Sequence, residues 1–426
     1  MKVLVLGGGG REHALAWKLG GSPSVTEVLC APGNPGIAEV AQCIELETFD
    51  VTKIASLVGK VAPHLVVVGP EAPLVAGLAD ILDETPVFGP RAKGAQLEGS
   101  KWFAKRLMND KHIPTSRAEV FTNAQEAIEF CHRSNGQVAV KADGLAGGKG
   151  VTVCSSIEQA EDAVRGALEG GRFGEAGRTI VIEEKLFGEE LSVLGFSDGK
   201  SVVAMPAAQD FKRAFDNDEG PNTGGMGSYS PVPYATEDVA QHITERVLQP
   251  AIDAMREDGE PYVGVLYAGL MLTEEGPKVI EFNCRFGDPE TQALMPRLAS
   301  DLGEVMLACV EGSLAGVDVT WDERACVCVV AASSGYPNQA IQTGQRIEGL
   351  DRASAITGLP VFHADTGLMG GSLVNKGGRV LSVSALGADL EAARDKAYEA
   401  IGHIHFDGMR FRTDIATRAI GAKGGV

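Results

Sequence analysis

The stretch that decides the fold is Lys278-Val279-Ile280-Glu281-Phe282-Asn283-Cys284-Arg285-Phe286-Gly287-Asp288-Pro289-Glu290. Apolar and polar residues alternate from 279 to 286, which predicts a β-strand. Because residues two apart share a face of a strand, Glu281, Asn283 and Arg285 are expected to project together. The alternate residues, which we expect to enter a core, are Ile280, Phe282, Cys284 and Phe286.

The three polar residues of this strand suggest a site for a metal ion and a phosphate. Carboxylate and amide oxygens suit Mg²⁺, which takes hard oxygen ligands and shares them with substrate phosphates. A guanidinium just beyond them can hold phosphoryl oxygens bidentately. The sequence therefore predicts Glu281 and Asn283 as metal ligands and Arg285 as an anion clamp; the alternative is a polar edge strand with a chance salt bridge.

Length, charge and cysteine usage limit the class of protein. A chain of 426 residues predicts about three domains. The net charge of −19 repels nucleic acid and anionic membranes, so we expect neither as a partner. The eight cysteines include no Cys-x-x-Cys pair, and the N-terminus enters a strand directly without a signal peptide, which together predict a cytoplasmic protein.

Two glycine-rich loops resemble phosphate-binding motifs but fit neither. Residues 7–10 follow a predicted strand and precede a helix, where backbone N–H groups and Arg11 favour a phosphate; the third glycine of a dinucleotide fingerprint is replaced by Glu12. Residues 143–150 lack Walker A spacing, yet with Lys141 and Lys149 they predict a flap over nucleotide phosphates. The alternatives are an unliganded strand–helix turn and an ordinary hairpin.

Two further segments suit small ligands. The backbone of residues 182–186 could read an adenine edge and Glu190 could take ribose hydroxyls, although an acidic exposed strand end is the simpler reading. The loop 221–227, preceded by 209–213, allows close backbone approach to a small substrate.

Seven segments together resemble the ATP-grasp ligases, and among them the phosphoribosylamine–glycine ligase family. They are Gly9-Gly10-Arg11-Glu12-His13-Ala14, Ala31-Pro32-Gly33-Asn34, Val68-Gly69-Pro70-Glu71-Ala72-Pro73-Leu74, Leu97-Glu98-Gly99-Ser100-Lys101, Lys141-Ala142-Asp143-Gly144-Leu145-Ala146, and the runs 221–227 and 281–290. The resemblance covers essentially the whole chain. It implies an α/β protein with an N-terminal parallel-sheet domain (1–101), a central two-part ATP-grasp domain (102–324) with a small flap subdomain (about 115–190), and a C-terminal α+β domain (325–426).

The resemblance also implies an activity and its ligands. The family ligates glycine to 5-phosphoribosylamine in purine biosynthesis, using ATP and Mg²⁺ (Mn²⁺ possible), through glycyl phosphate; a monomer with small-molecule substrates is expected. Arg285, Asp210 and Lys212 would be catalytic, and Glu281 and Asn283 would bind the metal. The residues expected at the nucleotide are Lys105, Lys141, Gly147, Gly148, Lys149, Glu183, Glu184, Leu186 and Glu190. Those expected at the other substrates are Gly9, Gly10, Arg11, Glu12, Asn34, Glu71, Asn222, Thr223, Gly225, Met226, Asp288 and Glu290.

The chain departs from the family pattern at two places. Phe211 stands where many relatives have His, so no general base is assigned there, and the strand at 267–272 lacks the second acid that many ATP-grasp enzymes carry. The rival functions are another ATP-grasp carboxylate–amine ligase, an aminoimidazole ribonucleotide carboxylase, a nicotinamide-dependent oxidoreductase and a non-catalytic nucleotide sensor. The segments 68–74 and 221–227 favour the glycine ligase.

Overall fold

The computed structural model describes residues 1–338 and 340–421. The N-terminal unit is a five-stranded parallel sheet in the order β3-β2-β1-β4-β5, as predicted. Val3 and Val5 of the first strand lie in one apolar cluster with residues of the helices at 10–20 and 302–311, whereas Leu4 and Leu6 lie in another with residues of the helices between 51 and 81. Both faces are thus covered, which explains the uninterrupted apolar strands. Its elements are β1 (Lys2–Gly7), α1 (Gly10–Gly20), β2 (Glu27–Pro32), β3 (Gln42–Cys43), α2 (Val51–Val61), β4 (Leu65–Val68), α3 (Glu71–Val75), α4 (Leu78–Ile81), β5 (Val87–Phe88) and α5 (Ala92–Gly99).

The ATP-grasp region consists of two four-stranded sheets, as the fold prediction required. The first, β6-β9-β7-β8, is antiparallel and forms with α7 and α8 a subdomain that has its own apolar core. The second has the order β11-β10-β16-β17. The elements are α6 (Lys101–Asp110), β6 (Ala118–Phe121), α7 (Ala124–Arg133), β7 (Val138–Ala142), β8 (Val151–Val153), α8 (Ile157–Leu168), β9 (Ile180–Glu184), β10 (Glu189–Asp198), β11 (Val202–Ala204), β12 (Gln209–Asp210), β13 (Arg213–Phe215), β14 (Glu219–Asn222), β15 (Gly227–Ser230), α9 (Glu237–Ile243), α10 (Gln249–Glu257), β16 (Val263–Thr273), β17 (Gly276–Asn283), α11 (Glu290–Leu294) and α12 (Leu302–Glu311).

Strand β17 corrects the expected alternation in two respects. It ends at Asn283, three residues before the predicted end at Phe286. Its pairing with β16 shifts register, because Gly269 faces Glu281 while Leu270 faces Val279. This bulge leaves Ile280 without a partner, so Val279 is fully buried and Ile280, predicted to enter the core, is half-buried.

The C-terminal unit shares its sheet with the preceding region. The order β12-β15-β18-β22-β19 joins two short strands from residues 209–230 to three C-terminal strands. The remaining elements are β18 (Ala325–Ala332), α13 (Leu350–Thr357), β19 (Phe362–His363), β20 (Thr366–Met369), β21 (Ser372–Asn375), β22 (Arg379–Gly387), α14 (Leu390–Ile401) and α15 (Thr417–Gly421). None of the helices in the described residues is long and apolar enough to cross a membrane.

Candidate active site

The polar side chains at the end of β17 form the centre of the candidate site. Glu281 and Asn283 lie on the strand, and Arg285 lies two residues beyond its end. Asn283 Oδ1 accepts a hydrogen bond from Arg285 Nη2 at 3.3 Å. Phe282, Cys284 and Phe286 are buried on the other side. The predicted grouping of the three polar residues is therefore present in the structure.

Arg285 is held by two carboxylates from the N-terminal part of the chain. Glu98 at the end of α5 is buried; its Oε1 accepts from Arg285 Nη2 at 2.9 Å and its Oε2 accepts from the Cys284 amide at 2.8 Å. Glu71 Oε2 lies 3.4 Å from Arg285 Nε. Burial opposes the positive charge, but Glu98 and Glu71 outweigh it and raise the pKa of Arg285. Glu98 was not among the predicted site residues, because its partners are nearly 190 residues away; the only signal was its place in the 97–101 segment.

Lys101 is a second residue that sequence reasoning left unassigned. Its Nζ lies 3.1 Å from Glu281 Oε2, and both side chains keep some exposure to the cleft. Burial raises the pKa of the Glu281 carboxyl, but Lys101 and Lys212 hold it well below its usual range. A carboxylate that stays ionised suits metal binding, and the lysine beside it suits a phosphate oxygen.

Lys105, Lys141 and Glu183 form a buried cluster next to this centre. Glu183 Oε2 lies 3.0 Å from Lys105 Nζ and its Oε1 lies 2.9 Å from Lys141 Nζ. Lys105 also donates to Thr115 Oγ1 and Ser116 Oγ, at 2.6 and 2.7 Å, and burial lowers its pKa to about 8. Lys141 donates to the carbonyl of Ile280 at 2.8 Å. Glu183, predicted to line an adenine, thus lies between the two lysines, and Lys105 is enclosed by protein groups.

The predicted flap is the hairpin between β7 and β8. Gly147, Gly148 and Lys149 form its exposed tip, and the glycines have φ of 57° and 72°. A Cβ at either glycine would meet none of the described atoms within 4 Å. Of the other predicted nucleotide residues, Glu184 accepts from the Arg117 amide at 3.1 Å and Leu186 is half-buried.

Asp210 and Lys212 face the same space as Glu281. Lys212 Nζ lies 2.9 Å from Glu190 Oε2. Burial raises the pKa of Asp210 to about 8, Lys212 opposes this shift and Glu290 adds to it. Glu290 is buried and accepts from Tyr267 Oη at 2.9 Å. Strand β16, which has no carboxylate at 267–272, is therefore contacted by the carboxylate of Glu290 at the start of α11.

The 222–227 loop connects this pair to the C-terminal unit. Thr223 Oγ1 donates to the Lys212 carbonyl at 2.8 Å and accepts from the Gly225 amide at 3.0 Å. Gly225 has φ of 115°, and a Cβ there would lie 2.3 Å from Pro289 Cδ. Arg379 Nη1 donates to the Gly224 carbonyl at 2.8 Å and lies 3.1 Å from Asp288 Oδ1. Of the other residues expected here, Asn222 ends β14 half-buried and Met226 is buried.

The N-terminal glycine loop is organised around Glu12. Its Oε2 accepts from the Gly9 amide at 2.7 Å and its Oε1 from Arg11 Nε at 2.6 Å. A Cβ at Gly69 would lie 2.1 Å from Glu12 Oε1. The carboxylate of Glu12, which occupies the third glycine position of a dinucleotide fingerprint, therefore packs directly against the backbone at Gly69. Gly10 packs against Gln292, and Asn34 donates to the carbonyls of Gly8 and His363 at 2.9 and 2.8 Å. In this structure Glu12 and Asn34 join loops, whereas Arg11 Nη1 donates to the Phe286 carbonyl at 3.1 Å and a Cβ at Gly9 would lie 3.8 Å from Asp288 Oδ2.

Phe211 projects away from its neighbours Asp210 and Lys212. Its ring is 3% exposed and packs against Tyr229, with a centroid separation of 6.1 Å. The guanidinium of Arg412 lies 4.8 Å from the ring centroid. A side chain at position 211 therefore belongs to the packing behind the site, so the departure from His leaves the groups that face the cleft in place.

The donor set fits a divalent metal shared with a ligand. Groups of three or more His, Cys, Asp or Glu residues able to hold an ion do not occur in the part of the chain that the structure describes. Glu281 and Asn283 offer two hard oxygen ligands on one strand face, with the remaining positions left for phosphate oxygens and water, as Mg²⁺ prefers. Lys101 Nζ, 3.1 Å from Glu281 Oε2, places positive charge beside these two ligands.

Comparison with known proteins places this site in a family. The fold is that of the ATP-grasp ligases, which use ATP and a divalent metal ion. The chain matches the N domain (residues 1–98), the ATP-grasp (A) domain (99–291) and the C domain (326–418) of phosphoribosylglycinamide synthetase. It belongs to the phosphoribosylglycinamide synthetase family.

Individual relatives agree along the whole chain. It is 47% identical to the phosphoribosylamine–glycine ligase of Pseudomonas aeruginosa over 430 residues, covering 100% of both chains. It is 48% identical to the Streptomyces coelicolor enzyme of the same name, covering 99% of this chain and 100% of that protein. The crystal structure of the Thermotoga maritima phosphoribosylamine–glycine ligase superposes with a TM-score of 0.84 at 34% identity, covering 98% of this chain and 100% of that one.

Proposed function

We propose that this protein ligates glycine to 5-phosphoribosylamine, converting ATP to ADP and phosphate and yielding glycinamide ribonucleotide. The observation that carries the proposal is the convergence of Glu281, Asn283 and Arg285 with Lys101 and Lys141 at one end of β17. Such a set neutralises a phosphate chain and its metal, and acyl phosphate chemistry needs no protein nucleophile.

The reaction proceeds in two displacements. A glycine carboxylate oxygen attacks the γ-phosphorus of ATP and the bond to ADP breaks, giving glycyl phosphate. The amine nitrogen then attacks the acyl carbon, a C–N bond forms, phosphate leaves and the amine loses a proton. Arg285, fixed by Glu98 and Glu71, stabilises the transferring phosphoryl group. Burial raises the pKa of Asp210 to about 8, so Asp210 would take the proton through its ionised fraction, which increases as the pH rises from 7 towards 8.

The metal, which we propose to be Mg²⁺ with Mn²⁺ as a substitute, would bind to Glu281 and Asn283 and neutralise charge on the phosphates. Lys101 and Lys141 would bind phosphate oxygens, and Lys105 and Glu183 would position Lys141. The tip of the flap at 147–149 would close over the nucleotide. The residues that would line the adenine and the ribose are Glu184, Leu186 and Glu190. Gly9, Gly10, Arg11, Glu71 and Asp288 would face the phosphoribosylamine. We also propose a cytoplasmic monomer, because the candidate site is built from one chain and all eight cysteines are free thiols.

The test is release of ADP and phosphate from ATP, with glycine and freshly generated phosphoribosylamine supplied singly and together. We expect release only with both substrates, with the mass of glycinamide ribonucleotide appearing in step. Release that ignores glycine but responds to bicarbonate or another acid would overturn the substrate assignment. Light scattering checks the monomer.

A further inference from the structure

Residues 410–418, here named the C-terminal strap, lie against the β13–β14 hairpin. The Thr413 amide and Oγ1 donate to the Asp216 carboxylate at 2.8 and 2.5 Å. Asp414 Oδ2 accepts from the Asn217 amide at 2.9 Å, and Arg418 pairs with Asp218. The C-terminal strap is thus attached to a hairpin that follows Lys212 and ends at Asn222.

Arg412 is the centre of this contact and is 1% exposed. Its Nε and Nη2 bind the two oxygens of Asp414 at 2.8 and 2.7 Å, within the strap. Its Nη1 donates to Asp218 Oδ1 at 2.9 Å and to the Arg213 carbonyl at 3.1 Å, on the hairpin. One planar guanidinium therefore joins the two segments, a geometry that an ammonium does not reproduce.

The contact continues to the active site through Phe211. The Arg412 guanidinium lies over the Phe211 ring, and Phe211 stands between Asp210 and Lys212. The Lys212 carbonyl in turn accepts from both the amide and the hydroxyl of Thr223, at 2.7 and 2.8 Å. Fixing the ring thereby fixes the backbone that carries Lys212 and the start of the 222–227 loop.

We propose that Arg412 is a positioning residue for the glycine and amine side of the active site, acting through Phe211 and the β13–β14 hairpin. The inference rests on the proposed function for the identity of those substrates. Arg412 itself is enclosed behind the site, so it affects binding by setting where Asp210, Lys212 and Thr223 lie. Small misplacements of such groups lower productive binding.

The first test is Arg412→Lys, with KM measured for each of the three substrates. We expect the KM for glycine, for phosphoribosylamine or for both to rise about tenfold and that for ATP to change less than about twofold. The matched control is Arg297→Lys. Arg297 is also buried and donates to Ser230 Oγ and the Arg324 carbonyl, away from the hairpin. The Arg297→Lys variant should lower the urea unfolding midpoint about as much as Arg412→Lys does, and it should leave all three KM values unchanged. An equal rise in all three for Arg412→Lys, or the same change in both variants, overturns the inference.

A second variant leaves the buried side chain of Arg412 in place. Asp216→Asn combined with Asp218→Asn weakens the hairpin side of the contact and keeps the pair between Arg412 and Asp414. We expect the same KM pattern, with faster amide hydrogen exchange over residues 211–223; exchange at the wild-type rate overturns the inference independently of activity. If the wild-type protein released ADP without glycine or amine, the proposed function would be refuted instead. The failure of the inference and the failure of the proposed function are therefore distinguishable.

Discussion

The carboxylate of Glu98 offers the sharpest test of how the fold builds this site. Glu98→Gln keeps the shape of the side chain, and its amide oxygen can still accept from either the Cys284 amide or Arg285 Nη2, now 2.8 and 2.9 Å from the carboxylate. The new NH₂ group must then face the other donor. The change loses one hydrogen bond to a charged group and leaves a buried donor without an acceptor.

The expected cost follows from those two losses. Each of these two losses costs about 1.5–3 kcal/mol in a buried site, and the two overlap. We therefore expect the free energy of unfolding to fall by about 3 kcal/mol. When the amide oxygen stays with the Cys284 amide, Arg285 keeps Glu71, Asn283 and the Phe286 carbonyl, at 3.4, 3.3 and 3.1 Å, but loses its shortest contact, to Glu98. A guanidinium displaced by about 1 Å should lower kcat about 100-fold, with a smaller change in the KM for ATP.

Urea unfolding and steady-state ADP release measure the two effects. Glu71→Gln is the stability control, since that carboxylate is more exposed and its loss should cost about 1 kcal/mol or less. Equal unfolding midpoints for the two variants, or a kcat near wild type for a folded Glu98→Gln protein, would refute the reasoning that Glu98 positions Arg285.

Three further predictions test other parts of the molecule. Glu281→Ala should abolish ligation and weaken Mn²⁺ binding, measured by electron paramagnetic resonance, while the circular dichroism spectrum is retained; ligation near the wild-type rate would sink the metal assignment. His13 and His363 are buried and burial lowers their pKa values to about 3 and about 4, so the unfolded state binds more protons below pH 6.5 and stability falls with acid. The unfolding free-energy difference between wild type and His363→Gln should therefore shrink by about 1 kcal/mol per pH unit from 6.5 towards 4.5, and a constant difference would contradict the assignment. Gly59 in α2 has open space around its Cβ position, whereas a Cβ at Gly69 would meet Glu12; Gly59→Ala should raise the thermal midpoint and Gly69→Ala should lower it, and equal effects would argue against the packing described.

The fold could be predicted largely because its strands carry local signals. The buried run of β4 and the alternation in β17 are visible in any short window of sequence. The bulge at Ile280 is not, because it depends on how Gly269 and Leu270 of the partner strand fall into register. The same limit explains the misplaced end of β17.

The site shows the limit more clearly, because its charges are arranged by contacts between distant segments. The alternation of residues along a strand grouped Glu281, Asn283 and Arg285, which lie close together in the sequence. It could not find that Glu98 holds Arg285, or that Lys101 pairs with Glu281, since the partners lie 187 and 180 residues apart in the sequence. Residues that bind one another are not free to bind substrate in the same arrangement. For Glu281 to hold a metal ion, its ion pair with Lys101 would have to open, and we expect Lys101 to move to a phosphate oxygen at the same time, so that neither partly buried charge is left uncompensated.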